Sequence, residues 1–412
     1  MRKNMVMMLA AMAMAVAGWA DTKEVLRTET TQNLKENILP FWMEKTIDPR
    51  GGFYGVVLNS GQPVERAPKG AVLNARIVWT FAKAYRQDSL LAYKQMADRA
   101  AAYYISHFID LQYGGVYWMV DCNGKPWDTT KQTYACAFGI YGLAEHYRAT
   151  GSTNSLEAAK QLYATLEEKV HDKGKQGYIE SYKRDFTKAP LIGVDGQAGA
   201  SKTMNTHIHL LEAYTTLYQV WPDEGLKRNL IELIDILQTK LYAPQTHHLI
   251  LYCNDDWQPI GETDSYGHDI ETSWLMCEAA AAIGDAALKK QVEQQAVDMA
   301  RTALREGLNA EGAMLYEKTP KGMNKQLSWW PQCETIIGCV NAWQITGDET
   351  FLEAALNNWK YVKAHFVDDQ KGGWFKSLTD DGRPADIPKV SEWNCPYHNS
   401  RLAFELAERL QP

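Results

Sequence analysis

The sequence has no excess of basic residues: 43 Lys and Arg stand against 50 Asp and Glu, a formal net charge of -7. Without a basic stripe to neutralise phosphates, a nucleic-acid partner is not expected. Cysteine is sparse. Cys122, Cys136, Cys253, Cys277, Cys333, Cys339 and Cys395 are scattered, odd in number and without a CxxC spacing. That excludes a legible disulfide framework or zinc knuckle and leaves most of them to be read as small buried apolar residues. No HExxH segment marks a catalytic zinc helix. Beyond the N-terminus no stretch reaches the roughly 18 apolar residues of a membrane span. No linker rich in Pro, Gly or Ser divides the chain, so residues 21–412 are expected to form a single domain. About 45% of the residues are apolar or aromatic, enough for a large core.

The first twenty residues differ from the rest. Arg2 and Lys3 give a positive start, Met5 to Val16 form a short apolar run, and Gly18-Trp19-Ala20 places small residues where a signal peptidase reads them. A secretory signal over 1–20, cleaved before Asp21, is expected, and with it an exported protein, periplasmic or secreted. An uncleaved anchor is the alternative. No cysteine follows the run, which argues against a lipoprotein.

A glycine-aromatic motif recurs along the chain: Gly51-Gly52-Phe53-Tyr54, Gly114-Gly115-Val116-Tyr117, Gly177-Tyr178, Gly312 to Tyr316 and Gly372-Gly373-Trp374-Phe375, with His248 to Tyr252 in the one slot without glycine. Spacings of roughly 60–70 residues suit a repeated helix pair. A charged amphipathic helix precedes each motif, at Lys23 to Lys45, Leu90 to Ile109, Leu156 to Val170, Glu224 to Leu241, Ala286 to Glu306 and Thr350 to Phe366. A sparsely charged helix follows, at Asn74 to Tyr85, Tyr134 to His146, Asn205 to Val220, Asp269 to Ala282, Cys333 to Thr346 and Tyr397 to Leu410. Wet helices alternating with dry ones predict two concentric rings. The expected fold is all-α, an (α/α)6 barrel with short β-hairpin-like loops at one end. An open α-solenoid is the alternative, but six units without an obvious capping repeat favour closure.

Unusual residues gather at the starts of the dry helices, which a ring brings to one end. Three such starts carry histidine: Asn205-Thr206-His207-Ile208-His209, His268-Asp269-Ile270-Glu271 and Cys395-Pro396-Tyr397-His398. Arg76 and the Trp329-to-Glu334 segment join them. A single histidine there reads as a hydrogen-bonded core residue; three at equivalent positions converge on the axis. His268 and Glu271, three apart, share a helix face, so Glu271 is placed to fix the imidazole's tautomer. His207 and His209, two apart, point differently, and one of them is expected on the axis. A zinc site from His209, His268 and His398 is conceivable, but no carboxylate cluster in the sequence supports it and no metal is expected. The chain holds 14 Trp and 21 Tyr. Trp118, Trp127, Trp257, Trp329, Trp330, Trp374 and Trp393 fall in or beside the loops, where their faces suit stacking on sugar rings or capping of the core.

These segments resemble the N-acylglucosamine 2-epimerase superfamily, and within it the cellobiose 2-epimerase branch, which includes mannobiose 2-epimerases. The resemblance runs from Gly51-Gly52-Phe53-Tyr54-Gly55 through Lys69 to Arg76, Asn205 to Glu212, His268 to Trp274 and Trp329 to Glu334, to Glu392 to Arg401. It implies an (α/α)6 barrel and cofactor-free inversion of C2 in the reducing-end sugar of a β-1,4-linked disaccharide, cellobiose to glucosylmannose or mannobiose to mannosylglucose. It also implies that His268 and His398 are the acid/base pair, that His209 is a third catalytic histidine, and that Glu271 and Arg76 act beside them. Trp330 and Trp393 match stacking tryptophans, and Tyr134 and Asn205 match residues that line the site. The leader is a departure, since familiar members are mostly cytoplasmic.

The chemistry these residues allow begins with ring opening to an aldehyde, which acidifies the C2 proton. One histidine removes that proton, a cis-enediolate forms, the C2–C3 bond rotates, and the second histidine returns a proton to the other face. Imidazole, with an ordinary pKa of about 6.5, serves in both directions, and Arg76 steadies the enediolate charge. Competing readings are a glycoside hydrolase using Glu271, Glu334 or Asp195, an aldose–ketose isomerase on the same scaffold, and a non-catalytic sugar binder. The only partner expected is a small sugar; the sequence leaves the oligomeric state open.

Overall fold

Alternation of charged and uncharged helices is realised as two rings. The structure, a computed structural model, describes residues 22–189 and 197–411. The leader reading over 1–20 and Asp195 therefore lie outside the described residues. The outer helices are α1 (residues 22–45, with a π-helical turn at Leu34–Ile38), α3 (Leu91–His107), α5 (Thr153–Lys169), α7 (Glu224–Thr239), α9 (Ala286–Gly307) and α11 (Thr350–His365). The inner helices are α2 (Ala71–Asp88), α4 (Thr133–Thr150), α6 (Met204–Val220), α8 (Tyr266–Ile283), α10 (Trp329–Thr346) and α12 (Tyr397–Arg409). Each inner helix packs against the next, and α12 returns to pack against α2. The ring is thus closed, as expected, and α1 completes the outer layer by lying on α12.

Composition explains the layering. The inner helices have core on every side: Ala71 to Ala84, Thr133 to His146 and Met204 to Leu217 are buried without a break. The outer helices bury one stripe, as with Leu226, Leu230, Leu233 and Leu237 of α7. Asp223 and Asp285 cap α7 and α9, each accepting two backbone N–H bonds. Gly151, Gly284 and Gly347 end α4, α8 and α10 in the left-handed region. Among the described residues no helix is long and apolar enough to cross a membrane. All seven cysteines are free thiols, six of them buried.

The glycine motif is the turn that ends each outer helix. Backbone bridges join Ile47 to Phe53, Ile109 to Val116, His171 to Tyr178, Leu308 to Met314 and Val367 to Trp374, and Tyr242–Ala243 pairs with His248–Leu249 in the remaining unit. Glycine is required where the turn is tightest: Gly52 has φ 58°, and a Cβ there would stand 2.7 Å from the Tyr103 ring. In the unit without glycine, His247 takes up the left-handed conformation instead, with φ 62°.

Residues just before the inner helices then pair with the following hairpin. Lys69–Gly70 lies along Met119–Val120, Lys131–Gln132 along Ser181–Tyr182, Lys202–Thr203 along Tyr252–Cys253 and Leu327–Ser328 along Ser377–Leu378. Val57 bridges Val390, so the loop layer closes as the helices do. Asp264, just before α8, bridges Lys318, so the N-termini of the inner helices are held at one end.

Buried lysine–aspartate pairs fasten this layer. Lys69 meets Asp48 at 2.8 Å, Lys131 meets Asp110 at 2.9 Å, Lys202 meets Asp172 at 3.0 Å and Lys389 meets Asp368 at 2.6 Å. Each aspartate also accepts backbone N–H bonds within its own turn. Lys131 and Asp110 have side chains only 1% and 0% exposed. Removing one member strands the other's charge in the core. Asp110→Ala should therefore cost about 3–5 kcal/mol of stability, read from urea unfolding. Adding Lys131→Met should recover most of that loss. A single variant as stable as wild type would contradict the stitching role.

Candidate active site

The first two turns of all six inner helices surround one open cavity of about 780 Å³. Arg76 comes from α2, Tyr134 from α4, Asn205 and His209 from α6, and His268 and Glu271 from α8. Trp329 and Trp330 come from α10 and His398 from α12, while Trp393 enters from the loop before α12. Every site residue expected from the sequence lines this space. Six helix N-termini add a positive field, which favours an anion forming there.

Aromatic rings make up much of the wall. Trp330 lies 4.6 Å from the His268 ring and 5.7 Å from His398, measured between centroids. Trp393 leans on Tyr134 at 5.8 Å and is backed by Trp118 at 5.5 Å. The other loop tryptophans have different roles. Trp374 is buried against Trp359, Trp257 packs on His207, and Trp127 is 69% exposed.

Each histidine is anchored through Nδ1. His398 Nδ1 lies 2.7 Å from Glu334 Oε1, and His209 Nδ1 lies 3.0 Å from Glu212 Oε2. A carboxylate only accepts, so both imidazoles donate from Nδ1, and in His398, which burial keeps neutral, Nε2 is the free base. His268 Nδ1 is 2.7 Å from the Ser265 hydroxyl at the start of α8. Of the His207/His209 pair, only His209 reaches the cavity. His207 is turned outward, where it accepts from the Tyr178 backbone N–H at 3.1 Å.

The expected His268–Glu271 pairing is not what the structure places here. Glu271 turns to the Arg401 guanidinium, and the Ser265 hydroxyl takes its place at the imidazole. The three-residue spacing is realised instead at His209–Glu212. Arg401 is the residue that sequence reasoning missed. It is 1% exposed and binds Glu212, Glu271 and Glu334 together, tying α12 to α6, α8 and α10 beneath the cavity. Tyr397 donates to Glu212 in the same cluster. Four charges gathered from four helices leave no local spacing in the sequence.

Burial governs the titration of these groups. It pushes His268 down to about 3, helped by the nearby His209. His398 is held well below its ordinary value by burial and then by the Arg76 and Arg401 charges. Both imidazoles are thus neutral at pH 7, in place of the half-titrated groups expected from an unperturbed histidine. Burial, then the charge of Glu334, raises Glu271 to about 7. Burial also pushes Glu212 upward, but Arg401 and His209 outweigh it and hold Glu212 at about 2.

Arg76 is 3% exposed, and among the described residues no carboxylate is at its guanidinium. It donates to the Tyr134 hydroxyl at 2.9 Å and touches Cys395 Sγ at 3.6 Å, between the rings of Phe138 and Tyr397. Its Nε and the Asn205 carbonyl oxygen are buried without a protein partner, as expected of groups that meet a polar ligand. Donor atoms of Glu271, Glu334 and His398 lie within 4.8 Å of one another. The Arg401 guanidinium already bridges these two carboxylates and supplies the compensating charge.

Two further features bear on alternative chemistry. Among the described residues Glu271 is the one carboxylate lining the cavity, and it is bound to Arg401; Glu334 lies behind His398, fully buried. The opposite mouth of the ring holds a well of about 660 Å³. Its charges are mutually paired, as in Lys83–Glu408 and Arg86–Glu145, and the cavity-lining histidines are absent from it.

Comparison with known proteins agrees with the fold. Residues 52–399 match the family model of N-acylglucosamine 2-epimerase. The chain is 43% identical to a cellobiose 2-epimerase of Bacteroides fragilis, covering 93% of this chain and 99% of that protein. It is 36% identical to a cellobiose 2-epimerase of Ruminococcus albus, covering 93% and 98%. Among solved structures, cellobiose 2-epimerase from Bacillus thermoamylovorans superposes with a TM-score of 0.90 at 37% identity, covering 94% of this chain and all of that one.

Proposed function

Because the chain belongs to the N-acylglucosamine 2-epimerase family and is a carbohydrate 2-epimerase, we propose that it inverts C2 of the reducing-end sugar of a β-1,4-linked disaccharide, through an enediolate served by His268 and His398. The observation that carries this reading is one cavity holding two neutral, buried imidazoles beside a guanidinium free of carboxylates. Similarity to cellobiose 2-epimerases supports cellobiose as the substrate, and β-1,4-mannobiose is the second candidate of the same linkage.

The steps follow from what each group can do. Trp330 and Trp393 stack on the sugar faces. Asn205 and Tyr134 hold hydroxyls. His209, fixed by Glu212, serves ring opening at O1 or O5. A neutral imidazole then takes the C2 proton of the open aldehyde. The enediolate oxygens lie against Arg76, whose charge has no carboxylate among the described residues to compete with them. After rotation about C2–C3 the second histidine, having taken up a proton from solvent, returns it to the other face, and the first histidine releases the C2 proton to solvent. The enediolate's own negative charge offsets the Arg76 and Arg401 fields that keep His398 neutral at rest, so that imidazole gains a proton only while the intermediate is present. Arg401 and the carboxylates beneath it fix the ring angles of both anchored histidines.

The first twenty residues, with a basic start and a short apolar run, support an exported enzyme. Proton NMR of the protein with cellobiose and with β-1,4-mannobiose tests the substrate class. A disaccharide inverted at C2 is the expected product, and the faster substrate names the branch. Free monosaccharides would mark a hydrolase instead, and a ketose would mark an aldose–ketose isomerase.

A further inference from the structure

We propose that Lys376 binds the distal sugar of the substrate, the one that is not epimerised, and so sets the preference for a disaccharide over a monosaccharide. The proposal rests on the disaccharide reading above and goes beyond it by naming a residue that this reading does not use.

Lys376 lines the cavity with Tyr316, Ser328, Trp329 and Trp393. Its backbone is fixed: the carbonyl accepts the Trp329 N–H at 3.0 Å, and the next residue, Ser377, is paired with Ser328. The side chain therefore starts from a rigid point directly above α10. Its surroundings differ from those of the buried lysines of the loop layer. Lys69, Lys131, Lys202 and Lys389 each have an aspartate within 3.0 Å. Among the described residues, the Lys376 ammonium has no carboxylate within ion-pair distance. It stands 5.9 Å from the centroid of the Trp329 ring, and Glu392 acts on it only at longer range. Burial lowers its pKa, the expected response of a half-buried cation without a contact partner.

Depth in the cavity decides which sugar it meets. The acid/base candidates and Arg76 all belong to inner helices and form the floor, where the reacting carbon must lie. Lys376 belongs to the loop layer above them, with Trp393 and Tyr316. An ammonium offers three donors and no acceptor, and sugar hydroxyl oxygens are its natural partners in a cavity that holds no spare carboxylate. A hydrogen bond from a charged donor is stronger than a neutral one.

Titration of pocket tryptophan fluorescence with β-1,4-mannobiose, cellobiose and mannose, in wild type, Lys376→Met and Lys376→Arg, tests this. Methionine keeps the apolar stem and removes the charge. The disaccharide that wild type binds should bind K376M about 10- to 100-fold more weakly, mannose should bind within about twofold of wild type, and K376R should restore most of the disaccharide affinity. Unchanged mannose binding also shows that K376M is folded. Equal disaccharide affinity in wild type and K376M overturns the proposal alone, as does an equal loss for mannose. Wild type that binds neither disaccharide overturns the disaccharide reading and this proposal together.

Discussion

Alanine at His268 or at His398 should lower kcat for C2 inversion by at least about 10³-fold, near the upper range for loss of a positioned general acid or base. The two substitutions act at one carbon, so the double variant should be scarcely slower than either single one. Both side chains lie at the wall of a cavity rather than within packed core, and neither carries an ion pair that seals the ring. His398 bonds to Glu334, which keeps its bond to Arg401 when the imidazole is gone. Folding should therefore survive, as circular dichroism and thermal unfolding will show. Full activity in both variants would remove the acid/base assignment. Because burial has already driven both imidazoles to the neutral state, replacement also removes no positive charge from the resting enzyme.

Arg76→Met should lower kcat by about 10²- to 10³-fold, the usual size of the effect when one electrostatic donor to a developing oxyanion is lost. KM should change little, since the charge is needed where the enediolate forms and not in the closed sugar. Stability should move the other way. Arg76 is buried with a hydroxyl, a thiol and two ring faces as partners, but no carboxylate. Methionine in that space relieves a desolvated cation, so the melting temperature should hold or rise. Lysine should restore little, because a point charge on a flexible stem does not reproduce the planar fork. A large fall in KM-limited binding with kcat intact would assign Arg76 to ground-state recognition instead.

How much of this was legible in the sequence depends on whether a feature is local. The repeat was legible because it rests on glycine turns and on the contrast between charged and uncharged helices, both visible in short windows. Helix starts were read late by up to four residues, most clearly at α10, which begins at Trp329 rather than Cys333. Pro331 and two tryptophans look like loop, yet proline is tolerated in a first turn, where its missing N–H has no partner to lose. The lysine–aspartate stitches were present as spacing, with Lys69, Lys131 and Lys202 each two residues before an inner helix, but a lysine beside a helix start is unremarkable until its partner is seen. The histidine anchors were the hardest. Glu334 and His398 are 64 residues apart, and Arg401 draws Glu271 away from His268. A spacing rule sees which groups share a face, but not a stronger partner arriving from across the ring.

The most direct test of the account is to run the reaction in D2O with the faster of cellobiose and β-1,4-mannobiose and read the product by proton NMR. Two histidines exchanging a C2 proton with solvent predict a C2-inverted disaccharide that carries deuterium at C2 and at no other carbon. An inverted product that keeps its original proton at C2 throughout would contradict an enediolate served by two separate solvent-exchanging bases.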